Sequence, residues 1–476
     1  MSDIHFGTDG WRAQIAEEFT FDNVRLVAQA TAEHLLHTGD AAKGVVIGYD
    51  TRFLSQSFAS AVAEVLAGNG IRSAIAGSAG PTPALSHSIV HRGAGAGIMI
   101  TASHNPGRYN GFKVKESYGS SSPPAVTRAI EDAIPGIEAA NGVRRMALGE
   151  AQAKGLVEEF DQRGPYLAAL RQLVDIEAIK AAGLRVLVDS MYGAGLGVTT
   201  ELLAGGATTV EELHGYRNPA FPGMRAPEPI GPNLTEQLGV LAQGGFDVGL
   251  STDGDADRVG IADERGRFIT QLQTMALLVH YLVGVRGERG PMVRSVTMTR
   301  MVDRLGERYD CPVYETPVGF VHLGPKMMET NALIAGEESG GYAFRGHIPE
   351  RDGVLSGLLI LEAMVKTGRK PSELLQAVYD EIGTHEYDRI DITLRGDERD
   401  AIRDRVAAAQ PTEIAGLRVE SKDTVDGFRF NLEGGWWLLL RFSGTEPLLR
   451  IYAEMPTMEH VRQALQAGQE IAGATL

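Results

Sequence analysis

The chain reads as an α/β protein: three related α/β units with mainly parallel, mixed sheets, followed by a C-terminal α+β unit. Three observations predict this. Short apolar runs alternate with stretches of helical spacing; the strand, turn, helix pattern restarts near residues 43, 184 and 291; and beyond residue 386 the pattern changes to closely spaced strands with two helices. Residues 43–50 (Lys-Gly-Val-Val-Ile-Gly-Tyr-Asp) read as the first strand, and 56–66 have helical spacing. Residues 96–100 form a buried strand that ends at a loop carrying Ser103. Residues 184–189 open the second unit, ahead of a glycine-rich turn at 193–197 and a helix, and 246–251 are another buried run. Residues 291–293 open the third unit, with a helix over 301–309. Residues 388–394, 427–431, 436–441 and 449–453 read as the C-terminal strands, expected to pair antiparallel. The expected units are 1–156, 157–269, 270–385 and 386–476, with a proline-rich loop at 218–229 inside the second.

The bulk properties fit a globular protein of several domains. There are 476 residues, 43% hydrophobic and 22% charged. The net charge of −16 argues against a nucleic-acid partner. It also means that an anionic substrate would be repelled at long range, so a phosphate site needs its own cluster of cations. Arg12, Lys113, Arg258, Arg351, Arg441 and Arg450 are the candidates. With one cysteine, Cys311, no intramolecular disulfide can form, and a reducing, cytoplasmic setting is expected. The N-terminus has neither a basic nor an apolar leader segment, and no apolar run approaches the length of a membrane span. Nothing in the sequence sets an oligomeric state.

The chemistry is concentrated in four loops. Residues 253–258 read Asp-Gly-Asp-Ala-Asp-Arg, directly after a buried strand. Side chains two apart in extended backbone point the same way, so Asp253, Asp255 and Asp257 would converge and repel one another. A small hard cation such as Mg²⁺ removes that conflict. A solvated acidic turn is the plainer reading. An EF-hand is another, since Glu264 stands at loop position 12, but position 6 is Arg258 where that loop needs glycine. Residues 101–106 read Thr-Ala-Ser-His-Asn-Pro, which places Ser103 at the carboxyl end of a strand, where α/β sheets collect ligands. Such a stretch also makes ordinary turns, and the chain lacks the Gly-x-Ser-x-Gly elbow here. His104 is a catalytic candidate by adjacency alone. Residues 336–340 (Gly-Glu-Glu-Ser-Gly) offer Glu337 and Ser339 on a glycine-rich turn suited to sugar hydroxyls; an exposed acidic turn is the alternative. Residues 441–447 (Arg-Phe-Ser-Gly-Thr-Glu-Pro) offer Arg441, Ser443, Gly444 and Thr445, the parts of a phosphate cradle or of a plain hairpin loop.

These four motifs, in this order over nearly the whole chain, resemble the α-D-phosphohexomutase superfamily, in particular phosphoglucomutases and phosphomannomutases. The resemblance implies four domains around a central cleft, a phosphorylated Ser103, and one Mg²⁺ per chain on Asp253, Asp255, Asp257 and Ser103. It implies Arg12 and Lys113 beside the reacting oxygen, with Lys113 as general acid/base. Glu337 and Ser339 would bind sugar hydroxyls, and Arg258, Arg351, Arg441, Ser443, Gly444, Thr445 and Arg450 would bind the substrate's phosphate or shape its site. The implied reaction interconverts hexose 1-phosphate and hexose 6-phosphate through a hexose 1,6-bisphosphate, which also acts as activator. The Glu-Glu-Ser form of the sugar loop is most similar to phosphoglucomutases, making glucose the expected sugar. Phosphomannomutase and phosphoglucosamine mutase are the alternatives within the class; a metal-dependent phosphatase and a non-catalytic sugar-phosphate regulator are those outside it. The sequence departs from the family pattern twice. Gly341 stands where dual-specificity enzymes place a histidine, and His347 is expected to serve instead. Val321 stands where a substrate-facing lysine is common, with His322 and Lys326 nearby.

Overall fold

The computed structural model describes residues 4–7, 9–395, 398–443 and 447–474. Its first three sheets are built on one plan. In the first, strand Val45–Tyr49 lies between Ser73–Ala76 and Ala96–Ile100, parallel to both, and Tyr109–Glu116 pairs antiparallel with Ala96–Ile100. In the second, Arg185–Asp189 lies between Thr209–Leu213 and Val248–Thr252, and Val259–Ala262 returns antiparallel. In the third, Met292–Ser295 lies between Val313–Thr316 and Ile334–Glu337, and Gly341–Phe344 returns antiparallel. The three starting strands stand where the sequence pattern restarts. The sheets are mixed, as expected, because each unit closes with the same antiparallel return.

Two features of the first sheet lie outside that plan. Trp11–Gln14 adds an edge strand antiparallel to Tyr109–Glu116. Val157–Phe160, beyond the expected 156/157 limit, completes the first sheet parallel to Ser73–Ala76. Its charged centre, Glu158 and Glu159, hides it from an apolar-run reading. The C-terminal unit is a six-stranded antiparallel sheet in the order Glu386–Thr393, Leu448–Met455, Trp436–Phe442, Phe428–Leu432, Leu417–Asp423, Glu413–Ile414. The helices Arg399–Ala408 and Met458–Ala472 accompany it.

Local signals set the helix ends. Thr20 accepts a hydrogen bond from the Asn23 amide to start Phe21–Thr38, which stops at left-handed Gly39. Asp352 accepts from the Leu355 amide at 2.8 Å to start Gly353–Thr367. This last helix is apolar almost all round, with twelve of its residues buried. It packs against strands of both the second and third sheets, so these two units share one large hydrophobic core, beside a smaller cluster belonging to each. The C-terminal unit is fastened to the third through a buried carboxylate. Glu454 accepts from Trp437 Nε1 at 2.7 Å, from the Arg300 amide at 2.9 Å and from the Thr299 hydroxyl. No helix among the described residues is long and apolar enough to cross a membrane.

The shared core gives a first prediction. Leu358 is fully buried in that helix. Leu358→Ala should cost about 2–5 kcal/mol of unfolding free energy, measured by urea denaturation. A loss below about 0.5 kcal/mol, the range of tolerated surface changes, would contradict the shared core.

Candidate active site

In all three α/β units the loop joining the third and fourth strands carries a sequence-predicted motif. It is 101–108 in the first, 253–258 in the second and 338–340 in the third. Each follows the carboxyl end of a parallel strand, where such sheets bind ligands. The loops meet. Ser103 Oγ donates to Asp253 Oδ2 at 2.8 Å, and the Ser103 side chain is buried. A Cβ at Gly254 would lie 2.4 Å from the Ser103 carbonyl oxygen, so only glycine lets the two loops come this close. Gly340 O accepts from the Val259 amide at 3.0 Å, joining the sugar loop to the aspartate loop.

Ser103 sits in the left-handed region, at φ 50°. That backbone is held by a residue that motif reading passes over, the fully buried Arg52. Its guanidinium donates to the carbonyls of Ser103 (2.6 Å), Asn105 (2.5 Å), Pro106 (3.0 Å) and Tyr109 (3.0 Å). Asp50 balances the charge, with its Oδ2 3.1 Å from Arg52 Nε and accepting from Thr101 Oγ1 at 2.6 Å. Both residues follow the first strand in Tyr-Asp-Thr-Arg, so strand-end position is the available signal. His104 Nδ1 lies 3.4 Å from Ser103 Oγ. Loss of solvent, then the nearby charges of Arg258 and Arg12, holds that imidazole well below its usual range and therefore neutral.

The three aspartates are fully buried, and one ligand oxygen from each lies within 4.8 Å of the others. Lys113 Nζ is 2.8 Å from Asp255 Oδ2, 2.8 Å from Asp9 Oδ2 and 3.4 Å from Asp257 Oδ2. Thr82 Oγ1 also donates to Asp255 Oδ2, at 2.7 Å. Burial, then the charges of Asp255 and Asp257, pushes Asp253 well above the carboxylate range. Burial would raise Asp255 too, but the charge and hydrogen bond of Lys113, with hydrogen bonds from Thr82 and Asp253, together hold that carboxyl low. For Lys113 burial favours the neutral amine, and Asp255, Asp9 and Asp257 together overcome it. As placed, Lys113 is a charged proton donor. Asp255 Oδ1 and Asp257 Oδ1 are buried with no hydrogen-bond partner. Orphaned oxygens in a set of convergent carboxylates fit a hard divalent cation.

The remaining candidates divide. Arg12 Nη1 donates to Asn105 Oδ1 at 2.9 Å, placing its guanidinium over the serine loop. The Arg258 amide donates to Asp253 Oδ1 at 3.1 Å, which fixes the loop's shape, while its side chain is 3.7 Å from Glu228 and 3.8 Å from Asp257. Arg351 is buried and committed to carboxylates: Asp9 at 2.6 Å, Asp257 and Glu337 at 3.0 Å, and Glu350 at 3.2 Å. Ser339 Oγ donates to Glu337 Oε1 at 2.7 Å, so the two expected sugar contacts are already joined. His347 is not with them. Its side chain is buried, with Nε2 2.9 Å from the helix-capping Asp352 and the ring stacked near His87. Lys326 pairs with Glu329 and covers the Tyr314 ring, whereas His322 is exposed.

In the C-terminal unit Arg441 and Arg450 are directly opposed on neighbouring strands. Like charges in this position repel and favour an anion between them. Asp426 lies 3.0 Å from Arg441 Nε, and Asp391 3.6 Å from Arg450 Nε. The Ser443 amide donates to Leu448 O at 2.9 Å. Gly444 and Thr445 lie outside the described residues. Motif reading also misses Asp9, Thr82, Lys115 and Glu350. Lys115 Nζ is 2.5 Å from Glu350 Oε2 and 3.6 Å from Asp9 Oδ1, extending the ion network around Asp9.

This arrangement has close counterparts. The phosphoglucomutase/phosphomannomutase alpha/beta/alpha domain I matches residues 3–141, domain II matches 164–266, domain III matches 271–382, and the C-terminal domain of that family matches 399–467. A phosphoglucomutase/phosphomannomutase of Thermococcus kodakarensis is 32% identical over 463 residues, 97% of each chain. A protein of Methanothermobacter thermautotrophicus named "Probable phosphoglucosamine mutase" is 33% identical over 460 residues, 96% of this chain and 95% of that one. The crystal structure of a candidate phosphomannomutase from Thermus thermophilus superposes with a TM-score of 0.86 at 36% identity, covering 100% of both chains. The chain belongs to the phosphoglucomutase/phosphomannomutase family. It is an enzyme, an intramolecular phosphotransferase of the phosphohexomutase type.

A second prediction follows from the orphaned oxygens. Mg²⁺ at about a hundred times its Kd should stabilise the fold by about 2.7 kcal/mol, read as a rise in melting temperature. Asp255→Asn should shrink that rise. An unchanged Mg²⁺ response in Asp255→Asn would remove this carboxylate from the cation site.

Proposed function

We propose that this enzyme is a Mg²⁺-dependent phosphohexomutase that interconverts glucose 1-phosphate and glucose 6-phosphate through a phosphorylated Ser103. One observation carries the reading: Ser103 Oγ, at a strand end, is 2.8 Å from an aspartate of a buried triad. The phosphoryl group passes from Ser103 Oγ to the free hydroxyl of the bound hexose phosphate. The P–O bond to serine breaks and one to the sugar forms, giving a hexose 1,6-bisphosphate. The hydroxyl proton leaves to a nearby base, for which neutral His104 and, once its proton is lost, Lys113 are the candidates. The bisphosphate reorients and returns its other phosphoryl group to Ser103. The same compound, supplied from outside, would prime an unphosphorylated enzyme. Asp253, Asp255 and Asp257 would hold Mg²⁺, which when bound would supply charge neutralisation at the transferring group. Arg12, braced on Asn105, orients the phosphoryl oxygens. Arg441 and Arg450, with Ser443, Gly444 and Thr445, hold the distal phosphate, and either end of the bisphosphate fits there. Enclosure keeps water from the phosphoserine.

The choice of sugar rests on the third loop. Glu337, held by Arg351 and Ser339, presents a carboxylate of fixed orientation to adjacent hydroxyls. The Glu-Glu-Ser form supports glucose. The relatives carry names for glucose, mannose and glucosamine phosphates, and buried Val321 removes a lysine contact that would otherwise discriminate. A coupled assay across glucose, mannose and glucosamine 1-phosphates decides, and a tenfold preference for either alternative sugar overturns the glucose assignment.

Two further outcomes are expected. Intact-mass analysis should find a phosphorylated fraction that maps to Ser103, and Ser103→Ala should abolish turnover; undiminished turnover would sink the mechanism. Glu337→Gln, which keeps the shape of the loop, should lower kcat/KM on the order of ten- to a hundredfold. A charge-assisted hydrogen bond of about 1.5–3 kcal/mol is lost, and Ser103 phosphorylation should be unaffected.

A further inference from the structure

Adjacent glutamates in the third loop face in different directions. Glu337 turns to Arg351 and the ion network of the first three units. Glu338 crosses to the C-terminal unit, where its Oε1 accepts from Tyr387 Oη at 2.9 Å and from Arg389 Nη1 at 2.9 Å, with Oε2 at 3.3 Å from the same nitrogen. The contact is sheltered: the Glu338 side chain is 19% exposed and that of Arg389 34%. Loss of solvent and the Glu338 charge together hold the Tyr387 hydroxyl well above its ordinary range, so it stays a donor. The chain of charges then continues. Arg389 Nε is 3.1 Å from Asp391 Oδ1, and Asp391 Oδ2 is 3.6 Å from Arg450 Nε. Arg450 is opposed on the next strand by Arg441, whose partner Asp426 also accepts from the Val318 amide of the third unit at 3.0 Å. The sugar loop and Arg450 are therefore ends of one alternating charge chain, running through the edge strand Glu386–Thr393, with Arg441 opposite its far end.

We infer that Glu338, Tyr387 and Arg389 are positioning residues that tie the C-terminal unit to the sugar loop, so that the hydroxyl-binding and phosphate-binding ends of the cleft are set as one piece. None of the three touches the reacting atoms. Their role rests on the proposed reading that Arg441 and Arg450 receive a phosphate while Glu337 holds the sugar. A hexose phosphate must span both ends, so a loosened tie weakens binding of the whole ligand and leaves the phosphoryl-transfer chemistry intact.

The test uses the full-length enzyme with glucose 1-phosphate, comparing Glu338→Gln, Arg389→Gln, the double variant and the conservative Arg389→Lys. Hydrogen exchange of residues 386–393 reads the tie directly. Each neutralising change should speed exchange there. Each should raise KM about three- to tenfold, the size of a part-exposed charge-assisted bond, with kcat changed less than about twofold. The double variant should be no worse than the poorer single one, and Arg389→Lys should recover part of the loss. Unchanged exchange in that strand, or losses that multiply in the double variant, would overturn the tie. Failure of the parent reading shows separately, as an unchanged KM in Arg441→Gln and an unchanged kcat/KM in Glu337→Gln.

Discussion

Three carboxylates buried within reach of one another set the terms for this molecule. Asp253, Asp255 and Asp257 have almost no water around them, and at such distances and low polarity their repulsion is strong. Lys113 and Arg351 answer part of the charge, both reaching Asp257 Oδ2, and each comes from a different unit. Arg351 also holds Glu337 and Asp9, so the cation that steadies the aspartate loop steadies the sugar loop as well. The first, second and third units are thus arranged around one concentration of charge, a set of carboxylates that could hold a divalent cation. The serine loop is drawn into the same arrangement from behind, through Arg52 and its four carbonyl partners.

Much of this is legible in the sequence because local rules and tertiary structure agree there. The apolar runs at 43–50, 96–100, 184–189 and 291–293 are strands buried on both faces, and a strand of that kind has no polar alternation to confuse. The alternating aspartates declare convergence by spacing alone. Edge strands are harder. Trp11–Gln14 and Val157–Phe160 carry exposed or charged positions, and only pairing with a distant neighbour makes them strands. The same limit applies to the site. Spacing shows which side chains point together within one segment, but not which distant segments supply their counter-ions. Asp9, Asp50, Arg52 and Glu350 escape a reading of motifs for that reason. His347 falls away from its expected place because a histidine beside a sugar loop in sequence can still turn inward, here to the capping Asp352.

The repeated plan of the first three units explains why such different chemistry sits in equivalent places. The loop between the third and fourth strands joins a parallel strand to an antiparallel return, so it must reverse direction at the carboxyl edge of the sheet. Its length is free to vary while the flanking strands stay fixed. Ser103 and the three aspartates lie in versions of that one loop, and Glu337 stands at the strand end just before the third. The described strands of the C-terminal sheet are all antiparallel, and there Arg441 and Arg450 stand opposed on a neighbouring pair.

The glycine at 254 carries a consequence for how the molecule becomes active. Serine loop and aspartate loop are pressed backbone to backbone across a boundary between two units that are made separately along the chain. As the polypeptide emerges, the first unit can complete its sheet only when Val157–Phe160 arrives, and its serine still has no carboxylate to meet until the strand that ends at Thr252 has been added. The Ser103–Asp253 contact is therefore absent from every shorter intermediate, and the two loops reach their final packing only when both units have been made.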